Sequence, residues 1–346
     1  MITKSPPPLF RRLELAFHTQ YAEVRERSRG EGEILPGTPG ALVLRTGTGY
    51  GYWYRRYNSL PNHEAEDLVC KDGDDEAKEA MQDRIEFSAW GQDQIRQLRK
   101  LGMQVADKDV ARLLVELHNE QLFQGGLVVV GTLAFMAWLN ELGAIAVSAK
   151  TQDIYPGRRQ ALKLGAPLSF LDAVTATKLK FFPVPGMPNS APSTSVKRPG
   201  PAGLRVDLLT PGEHLGAVVP VPELSWHAQT VPYFDYLLKN PSPAAVLAGG
   251  QCVPVNLPLP ERFVLHKLYS STKRQADQAK ARKDVQQAAV LGAVLVETDT
   301  GSLQQAASDA PPEILETARS RLPVLRELLR AHRQTLEEFE RVLAMA

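Results

Sequence analysis

Three short segments carry side chains that could do phosphoryl chemistry: Gly131-Thr132, Thr151-Gln152-Asp153-Ile154-Tyr155 and Arg205-Val206-Asp207-Leu208-Leu209. Gly131 ends the apolar run Leu127-Val128-Val129-Val130, and helical periodicity starts at Thr132. A helix mouth presents unpaired backbone N–H groups and about half a positive charge. Glycine there lets an anion approach the backbone closely, and Thr132 adds a hydroxyl donor. The plainer reading of the pair is a strand-to-helix turn capped by threonine. Asp153 and Asp207 each sit in a strand-like segment. Carboxylates from neighbouring strands, together with phosphate and water, are what Mg²⁺ asks for. Asp207 stands inside an apolar run, where a charge without a partner is costly. Pairing with Arg205 or facing solvent would also account for it. Residue 155 would share a face with Asp153. It is a tyrosine, and a phenol with an ordinary pKa of about 10 is a poor Mg²⁺ ligand at neutral pH.

These residues need elements to hold them. Residues 127–130 read as a buried strand and 132–142 as a helix; 151–155, 178–184 and 204–209 read as further strands. A loop rich in Pro, Ser and Gly fills 185–203, and Pro156-Gly157 is expected to interrupt the strand that carries Asp153. Upstream, 9–29 reads as an amphipathic helix. A hairpin of 41–45 and 51–57 follows, then helices over 76–101 and 107–123. Downstream, 224–239 reads as helix, a long helix begins near Glu261, and 277–298 and 311–345 complete a helical tail.

Taken in order, Val129-Val130-Gly131-Thr132-Leu133-Ala134-Phe135, Thr151-Gln152-Asp153-Ile154 and Arg205-Val206-Asp207-Leu208-Leu209-Thr210-Pro211 carry a resemblance. The run Pro258-Leu259-Pro260-Glu261-Arg262-Phe263-Val264-Leu265-His266-Lys267 extends it, as do Lys283-Asp284 and Gln287-Ala288. Over roughly residues 105–295 the chain resembles a bacterial family of predicted nucleotidyltransferases of the polymerase-β-type superfamily, distantly related to AbiEii-type toxin nucleotidyltransferases. The resemblance implies an α+β fold, a small mixed sheet flanked by helices. The elements read along the chain divide it into an N-terminal helix and hairpin region (1–105), a nucleotidyltransferase-like core (106–222) and a helical C-terminal region (223–346). It implies transfer of a nucleoside monophosphate from an NTP, with Mg²⁺ or Mn²⁺, to a hydroxyl of RNA, protein or a small molecule. A toxin or defence setting and an antitoxin-like partner go with it. Gly131 and Thr132 would hold phosphate, Asp153 metal, and Asp207 metal and the acceptor hydroxyl. The family's second metal carboxylate falls on Tyr155. Three explanations follow: a pseudoenzyme that still binds nucleotide, RNA or a protein partner; an enzyme working with one metal or a substitute such as Asp172 or Asp284; or an active scaffold that tolerates the change.

Basic residues would complete the site. Strand alternation puts Lys178 and Lys180 on one face, where they would meet phosphate or solvent. Lys280 and Lys283 lie on a later helix and are candidates for the same task; an ordinary charged helix face is the alternative. His266 reads as a packing residue before a general base. Interleaved aromatics and arginines at Tyr50-Gly51-Tyr52-Trp53-Tyr54-Arg55-Arg56-Tyr57 suit either a half-buried strand or an RNA surface. The alternating charges of 313–341 suit a solvated helix face or a partner seam.

Bulk composition narrows the setting. The 40 basic side chains nearly cancel 39 acidic ones, so no global field for nucleic acid exists. With 43% hydrophobic residues the chain can bury a large core. Cys70 and Cys252 are too far apart in sequence to suggest a metal knuckle, and unpaired thiols fit a reducing, cytoplasmic location. No apolar run is long enough for a membrane span.

Overall fold

The computed structural model describes residues 6–146, 153–201, 203–274 and 277–345, and it is α+β. The chain opens with β1 (Phe10–Arg12), α1 (Leu15–Gly30), the antiparallel strands β2 (Ala41–Gly47), β3 (Tyr50–Leu60) and β4 (His63–Lys71), and α2 (Asp75–Lys100). Next come α3 (Lys108–Asn119), β5 (Val128–Val130), α4 (Gly131–Glu141), β6 (Ala144–Ala146), β7 (Asp153–Gly157) and α5 (Phe170–Ala176). Short strands follow: β8 (Phe182–Pro183), β9 (Ser195–Lys197), β10 (Arg205–Asp207), β11 (Leu209–Pro211), β12 (Val218–Val221) and β13 (Trp226–Val231). After α6 (Phe234–Leu237) comes a hairpin, β14 (Ser242–Ala248) and β15 (Gln251–Leu257). The remainder is helical: α7 (Pro260–Lys273), α8 (Gln278–Thr298), α9 (Ser302–Ser308), α10 (Pro312–Arg319), α11 (Leu322–Leu328) and α12 (Arg333–Leu343).

The central sheet runs β12-β13-β11-β7-β10-β9-β8, with β5 also on β7. It is mixed: β7 pairs parallel with β10 and β11, and antiparallel with β5. β5 is wholly buried, as expected of a three-valine strand covered on both faces. Helix α4 is apolar around its whole circumference, with every residue from Thr132 to Asn140 buried. It is therefore fixed inside the core, and only its N-terminal end reaches the cleft described below. Helices α7 and α8 pack against each other, and α8 also packs on α4. No helix among the described residues is long and apolar enough to cross a membrane.

Several expectations change. Residues 224–239 are not a helix: a short turn leads into β13, Pro232 follows, and α6 spans four residues. Proline cannot continue a helix and biases the residue before it to extended backbone, which favours the strand. Apart from the four-residue α6, helix in the C-terminal region thus begins at Pro260, after the β14–β15 hairpin. Residues 178–184 are not one strand either. Lys178 has φ +59° just beyond α5, the chain turns through Leu179, and only Phe182 and Pro183 pair. By contrast, β7 continues through Pro156 and Gly157 without a break. Residues 151 and 152 of that expected strand lie outside the described residues.

Candidate active site

The parallel register of β7 and β10 sets Arg205 opposite Asp153 and Val206 opposite Ile154. Successive side chains on a strand point to opposite faces. Ile154 and Val206 therefore enter the core, where both are fully buried. Asp153, Tyr155, Arg205 and Asp207 share the other face. On the far side of β7, Val130 pairs with Tyr155, so the chain turns into α4 directly beside that phenol. One row thus holds the helix mouth, Tyr155 and Asp207.

Gly131 makes the turn with φ +72°, a left-handed conformation that suits glycine. It is also tight: a Cβ here would lie 2.7 Å from Cδ2 of Tyr155. The Tyr155 ring thus packs against the glycine that opens the helix. Val130 at the N-cap of α4 makes no side-chain cap, no other side chain among the described residues bonds this helix mouth's N–H groups, and Gly131 and Thr132 line the cleft. Gln287 Nε2 donates to Thr132 Oγ1 at 3.4 Å, which leaves that hydroxyl's own proton to donate elsewhere.

The two carboxylates are held differently. Asp153 Oδ2 accepts from the Tyr155 hydroxyl at 3.2 Å and lies 3.7 Å from Lys280 Nζ. Asp207 is only 5% exposed and accepts from Arg205 Nε at 2.8 Å and from the Ser195 hydroxyl. Arg205 also donates to Ser195 Oγ at 2.9 Å, which closes a small ring of bonds around Asp207. Burial, then the charges of Asp153 and Asp207, push the Tyr155 phenol well above its ordinary pKa. Tyr155 is a neutral donor at physiological pH.

A cationic wall faces this row from α7 and α8. Lys267 Nζ and Arg274 Nε hold Asp284 at 2.5 and 2.6 Å. Burial pushes the Lys267 ammonium down, offset only in part by Asp284. Burial raises the Asp284 carboxyl, but the two cations outweigh it and hold it below the usual carboxylate range. Lys280 and Lys283 extend the wall, and the whole encloses a cleft of about 970 Å³. Five cations (Arg205, Lys267, Arg274, Lys280 and Lys283) meet three carboxylates (Asp153, Asp207 and Asp284) at this end. Tyr233 and Tyr269 also line the cleft and pack edge to face, with ring centroids 5.3 Å apart.

The structure brings Gly131, Thr132, Asp153, Tyr155, Asp207, Lys280 and Lys283 into this one cleft. Lys178 and Lys180 do not line it, because the turn after α5 removes the alternation that would have aimed them. Asp172 is exposed in the first turn of α5, away from the cleft, and Asp284 is engaged by two cations. His266 is buried against Phe234 and Tyr269, and burial pushes its pKa down to about 4. In the hairpin, Arg55 is buried and donates to the carbonyls of Pro36, Thr38 and Pro39, so it offers nothing to RNA. Arg274 and Ser195 also belong to the site, and no motif in the sequence marks them. Arg274 is the first residue past α7, and cations near helix C-termini are common enough to carry no functional signal.

A family model described as nucleotidyltransferase matches residues 108–311, more than half of the chain. The protein belongs to that nucleotidyltransferase family. Neither curated proteins nor solved structures give a match. The matched span of this nucleotidyltransferase runs from the first turn of α3 to the start of α10. It contains the row, the helix mouth and the cationic wall. Whether that row suits two divalent ions can be judged from its donors. Among the described residues no group of three His, Cys, Asp or Glu side chains gathers to hold a metal. Asp153 and Asp207 can supply oxygen to one ion, as Mg²⁺ sites with one or two carboxylates do. A second ion finds a protonated phenol where a carboxylate is needed. By donor chemistry the two carboxylates would suit one ion, and among the described residues the row offers no carboxylate for a second.

Proposed function

We propose that the cleft binds a nucleoside triphosphate and transfers its nucleoside monophosphate to a hydroxyl on RNA, protein or a small molecule. The observation that carries this is the single face on which Asp153 and Asp207 stand beside the uncapped, glycine-opened mouth of α4. Gly131 and Thr132 offer backbone N–H groups to phosphate. Lys280, Lys283 and Arg274 offset the remaining charge. Asp153 and Asp207 would hold one Mg²⁺ or Mn²⁺. When bound, that ion polarises phosphate oxygens. Asp207 takes the proton of the acceptor hydroxyl; the new O–P bond forms, the bond to pyrophosphate breaks, and pyrophosphate leaves along the cationic wall. Arg205 and Ser195 fix the Asp207 carboxylate for this step.

A second reading rests on Tyr155, whose hydroxyl engages Asp153 where the resemblance calls for a carboxylate. It is a nucleotide-binding protein with transfer strongly impaired. Losing one metal ligand removes several kcal/mol of transition-state stabilisation. Incubation with labelled NTPs, Mg²⁺ or Mn²⁺ and cell lysate separates the two. Label transfer that Asp207→Asn lowers by about a hundredfold to ten-thousandfold supports the enzyme. No transfer by the natural chain, with transfer by Tyr155→Asp, supports the impaired binder. An acceptor whose modification stops growth would fit the toxin setting. Induced expression would then arrest growth, and Asp207→Asn would relieve the arrest.

A further inference from the structure

We infer that Lys280 takes the place of a second divalent ion, so that triphosphate binding to this cleft does not depend on a divalent metal and only the transfer step calls for the one ion that Asp153 and Asp207 would hold. The inference rests on the nucleotide reading of the cleft and goes beyond it by assigning the mode of phosphate recognition. Three observations converge on Lys280. Position 155 contributes a neutral phenol, so this end of the cleft holds one negative charge fewer than a carboxylate there would give. Lys280 Nζ stands 3.7 Å from Asp153 Oδ2, on the carboxylate that the phenol also engages. Its other acidic neighbour, Asp277 Oδ2, is 3.8 Å away. Both distances exceed hydrogen-bonding length, so neither carboxylate takes one of its three N–H donors in a direct bond.

The side chain is 42% exposed and reaches into the cleft from the first turn of α8, whose N-terminus Asp277 caps. An ammonium is monovalent, but here it does not act alone. Arg274 spends its Nε on Asp284 and among the described residues has no partner on its terminal nitrogens, and Lys283 lies one turn along α8 from Lys280. Together they line the cleft with three positive charges that can neutralise a triphosphate.

The test is calorimetric titration of the full-length protein with ATP and with inorganic triphosphate, each in EDTA and in Mg²⁺. The expected result is binding in EDTA within about threefold of that in Mg²⁺. Lys280→Ala would weaken the EDTA affinity by about tenfold or more, a change of about 1.4 kcal/mol. Lys280→Arg would keep most of it, and Tyr155→Asp would make binding depend on the metal. Because Lys280 is partly exposed, its removal leaves the fold intact, and circular dichroism checks this. Binding in Mg²⁺ that vanishes in EDTA overturns the inference while the nucleotide reading stands. Binding of neither ligand under either condition overturns both.

Discussion

Replacing Gly131 with alanine tests how the helix mouth and Tyr155 are fitted together. Two costs arise from the geometry. At φ +72° an L-residue pays about 1–2 kcal/mol for a left-handed backbone. The new Cβ would also stand 2.7 Å from Tyr155 Cδ2, and an overpacked contact of that kind costs about 1–3 kcal/mol. The single variant should therefore lose about 2–5 kcal/mol. In a Tyr155→Ala background the ring is gone and only the backbone cost remains, about 1–2 kcal/mol. The difference is a coupling energy of about 1–3 kcal/mol between positions 131 and 155. Urea denaturation of the four proteins, followed by circular dichroism, measures it from the midpoints at constant slope. An equal cost of Gly131→Ala in both backgrounds would refute the packing of the Tyr155 ring on the helix mouth.

Further outcomes follow from the buried charges of α7 and α8. Asp284→Ala leaves Lys267 buried without its partner and should destabilise the fold by about 3–5 kcal/mol; Lys267→Met in the same chain should recover most of this, by the same urea assay. His266 has its pKa lowered to about 4 by burial, against 6.5 for the free side chain. The unfolded chain then binds more protons between those values, so this contribution is complete above about pH 6.5 and is lost as pH falls through about 4. Its size is about 3 kcal/mol, and His266→Gln should flatten that part of the stability–pH curve.

The residues of the row were legible because their logic is local. A valine strand ending in Gly131, and acids inside strand-like runs at Asp153 and Asp207, obey rules that need no knowledge of the fold. Lys178 and Lys180 failed on the same kind of rule. Alternation holds only while the chain stays extended, and the Thr177 hydroxyl accepts from Leu179 N in a turn that ends it. The β14–β15 hairpin carries its signal in its turn. Gly249-Gly250, both with positive φ, is a two-residue hairpin turn between the apolar run 244–248 and the alternating residues 251–257. β4 hid behind its charges, since an edge strand with one solvated face needs few apolar residues. The cationic wall was legible only in pieces. Lys280 and Lys283 could be named as basic residues on a helix, but their facing Asp153 depends on how α8 packs against α4. Packing between distant segments leaves no periodic trace in a single sequence.

The most direct measurement is a crystal structure of the protein with a non-hydrolysable nucleoside triphosphate and Mn²⁺. The expected density places the phosphates at the backbone N–H groups of Gly131 and Thr132, on the face of Asp153 and Asp207, with Lys280 against them. A nucleotide bound anywhere else on the chain, leaving that helix mouth without phosphate, would contradict the reading.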